Sequence, residues 1–283
     1  MKSNALSAAT VLLAAILASC SPGRGDMPLK TFSLHDTTDY SITDMTLDLP
    51  SGNDAVATAI RQKLMEITDD YMSTMTSYEN TRSYPPYEGD LNDAEAYVNY
   101  QFSHGAAALE QASKQFSEDM AQDGADDYEP ICLEYDFSLT REYETSAFAV
   151  FLSLNYTYLG GAHGGVVGRG PLTFDKNDGS LTEILDRSKE REIQPLLIKG
   201  LTEYFSSEGV SVSPEDLFDY LLLDGKTIPL PVWEPSPSKE GLTFTYQQYE
   251  IAAYAAGMPS FTVPYNDMTP YLSARGKRLF CLK

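Results

Sequence analysis

The residue best suited to chemistry is His163, which stands among six glycines in the stretch 156–170. Histidine changes charge near physiological pH, so this setting could support acid–base catalysis or metal binding. However, the chain has no Gly-x-Ser-x-Gly nucleophile motif, and its other two histidines show no ligand spacing with His163. We therefore predict no catalytic residue, no metal and no cofactor, and we expect His163 to fix a turn by bonding backbone groups.

A glutamate and several tyrosines make a second set of candidates. Glu250 could be a general acid or an ordinary surface ion, because the sequence identifies no partner for it. The tyrosines could form a binding surface, since tyrosine offers a large contact area, or they could form the edge of a core. The candidate structural or binding residues are Tyr156, Tyr158, Gly160, Gly161, His163, Gly164, Tyr249, Glu250, Tyr254 and Gly257.

The glycines in 156–170 indicate a particular backbone geometry. Glycine at this density is needed where the chain turns with positive φ or passes close to another segment. The stretch therefore predicts a tight turn or bulge at a sheet edge. We expect it to meet the segment 249–257, with His163 in contact with that segment.

The N-terminal residues predict export and lipid anchoring. A short positive start and an apolar run lead to Leu17-Ala18-Ser19, which stands directly before Cys20. This arrangement resembles a bacterial lipoprotein signal. Residues 1–19 would then be removed, and Cys20 would carry the lipid that anchors the protein to the cell envelope, at the outer membrane. Residues 20–30 are then a lipidated tether. A plain secretory signal with an incidental cysteine is the alternative.

Two cysteines remain after Cys20. In an oxidising compartment Cys132 and Cys281 could form one disulfide, or they could be two buried free thiols, because sequence spacing does not give their separation in space.

Charge restricts the partners. The 283 residues include 41 acidic and 20 basic side chains, a net charge of −21. This excess argues against nucleic acid and against anionic membrane surfaces as partners, and it favours a cationic partner if the partner is charged. The alternative is that the acidic surface only keeps an exported protein soluble.

The hydrophobic periodicity predicts an α+β fold. Alternating residues predict strands in 31–49 and, after residue 131, an antiparallel meander that includes 148–158 and 171–175. Helical spacing predicts helices from 53, from 93 to 122 and from 185 to 209, with a short one from 213 to 222. We expect antiparallel sheets with helices packed on one face, in two intimately packed subdomains, 31–125 and 126–283.

Three motifs in order resemble a known family. They are Tyr-Thr-Tyr-Leu-Gly-Gly-Ala-His-Gly at 156–164, Thr-Phe-Asp with Gly-Ser-Leu at 173–181, and Leu-Thr-Phe-Thr-Tyr followed by Tyr-Glu-Ile-Ala and Tyr-Ala-Ala-Gly at 242–257. Together they resemble the extracytoplasmic domain of RsiV-type anti-sigma factors, which also occurs beside peptidoglycan deacetylases and in bacterial lipoproteins. The resemblance implies an α+β fold and, in the RsiV branch, binding of lysozyme outside the cell. It does not imply the signalling role, which uses a cytoplasmic segment and a membrane helix.

Two functions from different classes follow. The first is a non-enzymatic, lipid-anchored envelope protein that binds a cationic extracellular protein such as lysozyme, or a cell-wall component such as peptidoglycan. The alternative is a cell-wall glycan hydrolase or an accessory domain of cell-wall modification, which requires two carboxylates across a cleft.

Overall fold

A five-stranded sheet organises the first part of the computed structural model, which describes residues 26–77, 81–122, 131–160, 165–206 and 211–281. In spatial order the strands are β1 (Leu29–Thr37), β2 (Ser41–Pro50), β3 (Leu133–Glu144), β4 (Phe148–Tyr158) and β5 (Val166–Asp175). The meander of β3, β4 and β5 is antiparallel, as predicted.

One strand pair corrects the expectation of purely antiparallel sheets. Strand β2 pairs in parallel with β3, and Ser41 lies opposite Leu133. Between these strands the chain passes through two helices and returns to the end of the sheet where β2 begins, so β3 runs in the same direction as β2. The α+β class itself is confirmed.

Helices α1 (Ala55–Thr74) and α2 (Ala94–Gln122) cover one face of this sheet. Helix α1 begins directly after Asp54, whose carboxylate caps it by accepting hydrogen bonds from the Val56 and Ala57 N–H groups. Along β2 and β3 the buried residues alternate with partly exposed ones, and the buried set packs against the helices. Among the described residues, no helix covers the opposite face of β2 and β3.

The second part of the chain has its own core. It contains α3 (Gln194–Phe205), a small sheet of β6 (Ser236–Pro237), β7 (Leu242–Thr245) and β8 (Ser260–Val263), and the short helices α4 (Tyr265–Met268) and α5 (Ala274–Leu279). Its buried cluster is drawn from residues 184–272. The first cluster contains residues of α1, α2 and β3–β5, and so lies on both sides of the predicted boundary at 125/126. Residue 125 itself is outside the described ranges.

Two predicted helices are shorter in the structure. Helix α3 begins nine residues after the predicted start at 185. The Ile184 and Leu185 N–H groups donate to the Glu234 carboxylate at 2.9 Å, and a separate 3-10 turn, Arg187–Lys189, follows before α3. A proline at the start of α3 then fixes the first helical turn. The predicted helix at 213–222 is a single 3-10 turn, Asp216–Asp219.

Candidate functional site

Side-chain amides from the second part of the chain cover the free edge of β5. The Gln247 amide pairs with Arg169 as a neighbouring strand would: its Oε1 accepts from the Arg169 N–H at 2.8 Å, and its Nε2 donates to the Arg169 carbonyl at 2.9 Å. Two residues along, the Val167 N–H donates to Gln248 Oε1 at 2.8 Å. Unpaired backbone groups on an edge strand invite pairing with other chains, and here these groups are satisfied internally.

A tyrosine continues the same contact at the start of β5. The Tyr254 hydroxyl donates to the Gly165 carbonyl at 2.9 Å. Residues 165, 167 and 169 alternate along the strand, so their outward backbone groups form one row. We call this contact the seam, and it consists of Gly165, Val167, Arg169, Gln247, Gln248 and Tyr254. The predicted meeting of the glycine stretch with 249–257 is therefore confirmed.

Glu250 holds the turn from which these amides project. Its Oε2 accepts from the Gln247 N–H and its Oε1 from the Val232 N–H, both at 2.7 Å. Within this turn, between Gln247 and Glu250, Tyr249 adopts a left-handed backbone conformation with φ of 65°. Both carboxylate oxygens are thus used to fix backbone, which explains the position of Glu250 better than a role as a general acid or a free surface ion.

The candidate tyrosines are only partly brought together. The Tyr156 ring lies so close to Gly165 that an added Cβ there would be 2.1 Å from its Cε2 atom, which explains the glycine. The Tyr249 and Tyr254 rings are 5.6 Å apart, and Tyr249 is 53% exposed. Tyr158 lies on β4 opposite Glu134. The glutamines that make the seam were missed by the sequence reasoning, because two glutamines in a loop have no distinctive pattern.

Two further candidates, Gly160 and Gly257, have positive backbone φ. Their φ angles are 85° and 69°, in a region that favours glycine, and for Gly160 this confirms the prediction made for the glycine stretch. Gly161, His163 and Gly164 lie outside the described residues, and the predicted contact of His163 with 249–257 therefore stays a prediction.

The uncovered face of the sheet carries carboxylates. Asp44 and Asp136 lie directly opposite each other across the parallel strands β2 and β3. Glu134 is two residues from Asp136 and shares its face, with Tyr158 opposite Glu134 and Tyr156 opposite Asp136. We call these five residues the acidic face.

The charges on this face are only partly neutralised. Asp44 Oδ1 is 2.7 Å from His35 Nδ1 on β1. Partial desolvation and the Asp44 carboxylate raise the pKa of Asp136. Within the described ranges neither Glu134 nor Asp136 has a basic partner. Carboxylates on an open surface of this kind attract cations but enclose no substrate.

Cys132 and Cys281 are free thiols, so of the two alternatives the disulfide between them is not formed. Cys132 precedes β3, whereas Cys281 follows Phe280, whose ring packs 5.4 Å from Phe148 near the other end of β3. At about 3.3 Å per residue, β3 separates these ends by roughly 40 Å. A disulfide needs Cα atoms within about 7 Å. The thiols are also not both buried, since Cys281 is exposed.

The described residues contain neither a cluster of metal ligands nor a helix that could span a membrane. Among the described residues, no three or more His, Cys, Asp or Glu side chains are grouped to hold a metal ion. No helix in the described ranges has the length and apolar character to cross a bilayer. Cys20 lies outside the described residues.

Comparison with known proteins places the fold. Residues 236–266, which contain β6, β7, the Gln247–Gln248 turn and β8, match a family described as protein of unknown function (DUF3298). A DUF3298 family member from Bacteroides fragilis is 14% identical with a TM-score of 0.61, over 90% of this chain and 97% of that one. A DUF3298 family protein from Pseudomonas aeruginosa is 12% identical with a TM-score of 0.54, over 88% and 95%. No curated protein matches the chain. At these identities the likeness shows a shared fold.

Proposed function

We propose that this chain is an exported, lipid-anchored envelope protein of the RsiV type that binds a cationic extracellular protein, such as lysozyme, through the acidic face. The observation that carries the proposal is the pair Glu134 and Asp136, two carboxylates without a basic partner in the described structure, on a sheet face that no helix covers. The net charge of −21 has the sign that would steer a cationic protein toward this face.

The tyrosines beside the carboxylates support a protein partner rather than a free cation. Tyr156 and Tyr158 lie on β4 opposite Asp136 and Glu134 and are half-buried, so each ring has surface available for contact. Interfaces are enriched in tyrosine because a rigid ring buries a large area at low entropic cost. A row of aromatic rings next to a row of carboxylates suits a partner that presents arginine or lysine.

A binding experiment on paired variants tests the acidic face. Lysozyme affinity would be measured by calorimetry for the mature chain, for Glu134→Gln with Asp136→Asn, and for Glu203→Gln with Glu215→Gln, at low and moderate salt. The last pair removes the same charge from exposed positions in the second part of the chain. Each exposed charge contributes about 0.5 kcal/mol, so we expect roughly a fivefold loss for the first variant and little loss for the control. Equal losses in both variants, or no binding by the mature chain, would refute the proposal.

The anchor has a separate test. We expect the wild-type protein to incorporate a radiolabelled or clickable palmitate and to sediment with membranes, and Cys20→Ser to do neither. Incorporation of the label into Cys20→Ser would show that Cys20 is not the lipidated residue.

The glycan hydrolase alternative has weaker support. Asp44 and Asp136 are neighbours on an open sheet, whereas glycosidic carboxylates flank the bond that they cleave inside a cleft. We therefore favour a binding protein.

A further inference from the structure

A polar cleft of ≈ 280 Å³ lies where β2 leads into α1 and where α2 begins. Arg61 from α1 forms one wall, and Asp93 and Glu95 at the start of α2 form another. Asn53 and Asn92 supply amide groups between these walls. The cleft is on the helix side of the sheet, so it is distinct from the acidic face.

Arg61 is a buried cation that forms no direct ion pair with a carboxylate of the described residues. Its side chain belongs to a residue that is only 6% exposed, and its Nη1 donates to the Pro50 and Gly52 carbonyls at 2.8 and 2.9 Å. Nε is buried and has no hydrogen-bond partner, and no carboxylate in the described ranges forms an ion pair with this guanidinium. The Asp54 carboxylate is nearby but caps α1.

Burial of the Arg61 guanidinium is energetically unfavourable unless a ligand supplies an anionic partner. A buried charge without a directly bonded counter-charge is disfavoured, and the two carbonyls that Arg61 contacts could be satisfied by a neutral donor. A carboxylate is the natural partner, because a guanidinium presents planar donors that match it. The cleft gives such a group access to Arg61.

We propose that the cleft binds a small zwitterion of dipeptide size, with its carboxylate at Arg61 and its ammonium group toward Asp93 and Glu95. A volume of ≈ 280 Å³ equals about nine waters of liquid volume, which fits a ligand of roughly ten non-hydrogen atoms. Glu95 also binds Lys30 at 2.9 Å, which closes one side of the cleft with a surface ion pair.

Amide-resolved NMR titration of the mature chain tests this site. The probes are dialanine, dialanine amide without the carboxylate, N-acetyl-dialanine without the ammonium group, and inorganic phosphate, each in the millimolar range. We expect dialanine to shift the signals of residues 51–53 and 94–95, N-acetyl-dialanine to bind several-fold more weakly, and dialanine amide and phosphate to bind at least tenfold more weakly.

Two matched charge variants keep the test independent of folding. Asn53→Asp places a carboxylate in the cleft at a position before α1 where negative charge is tolerated, and it should weaken dialanine binding at least tenfold. Gln111→Glu adds the same charge to the exposed surface of α2, about 25 Å from its start, and should leave binding unchanged. The proposal is overturned if dialanine shifts no cleft signal, if dialanine amide or phosphate binds as well as dialanine, or if both variants lose affinity equally.

Discussion

Replacing Gln247 with alanine should weaken the seam by a calculable amount. The substitution removes two hydrogen bonds to the Arg169 backbone, of 2.8 and 2.9 Å. Each such bond contributes about 1 kcal/mol net. Arg169 is half-buried, so water can partly replace the lost hydrogen bonds to its backbone groups. No large penalty for a buried, unsatisfied N–H group is therefore added. We therefore expect Gln247→Ala to lower the free energy of unfolding by about 2 kcal/mol.

Thermal unfolding and hydrogen exchange would measure this loss at two scales. At 2–4 °C per kcal/mol for a large domain, the unfolding midpoint should fall by roughly 5 °C. The Arg169 amide should exchange about 30-fold faster where exchange proceeds by local opening of the seam, because 1.4 kcal/mol corresponds to a factor of ten.

Two other glutamine variants provide the scale for this result. Gln248→Ala removes one hydrogen bond, to Val167, and should cost about half as much. Gln115→Ala removes only an exposed contact with Asp119 on α2 and should change the midpoint very little. If Gln247→Ala is as stable as Gln115→Ala, or if the exchange of Arg169 is unchanged, the seam does not hold the two parts of the structure together.

Three further outcomes are expected. Glu144→Gln should destabilise the protein by about 3 kcal/mol in urea unfolding, because the carboxylate is 6% exposed and its negative charge lies against two cations, Arg141 and Lys176. A loss below about 1 kcal/mol would contradict this. The pKa of Asp136 is raised in the folded state, so ionisation of this carboxyl works against folding as the pH rises above its unfolded value of 3.8. Asp136→Asn should therefore raise the thermal unfolding midpoint at pH 7, and this increase should vanish toward pH 3. An unchanged difference across that range would exclude the effect. Under non-reducing, denaturing conditions Cys132 and Cys281 should both react with a thiol reagent. If the two cysteines reacted only after reduction, a disulfide between them would have formed.

Local features of the fold were predictable from the sequence because short-range physics determines them. The cap at Asp54 and the stripe of apolar residues after it predict α1, and the alternation after residue 131 predicts the β3–β4–β5 meander. The glycine stretch predicts close approach of another segment, since Gly165 leaves room for the Tyr156 ring. In each case the residues that carry the signal are near neighbours in the chain.

Features set by long-range pairing were not predictable. The parallel pairing of β2 with β3 joins residues about ninety positions apart, and only this register brings Asp44 opposite Asp136. The burial of Arg61 was not predictable either, because an arginine beside an apolar helical stripe is usually solvated. Arg61 is buried because the backbone of residues 50–52 folds over it and accepts its hydrogen bonds. Register and burial of this kind depend on the whole fold rather than on any local pattern.

Stability and binding should separate cleanly, because the seam and the acidic face use different parts of the same sheet. Gln247 contacts the outer edge of β5, whereas Glu134 lies on the open face of β3, two strands away, at about 10 Å. Substitutions that share no partners and lie this far apart act nearly additively. Gln247→Ala should therefore lower the unfolding midpoint without changing lysozyme affinity, and Glu134→Gln should lower the affinity without changing the midpoint. If Gln247→Ala reduced affinity as strongly as Glu134→Gln, the partner would contact the seam, and the binding surface would have to be moved from the open face to the edge of β5.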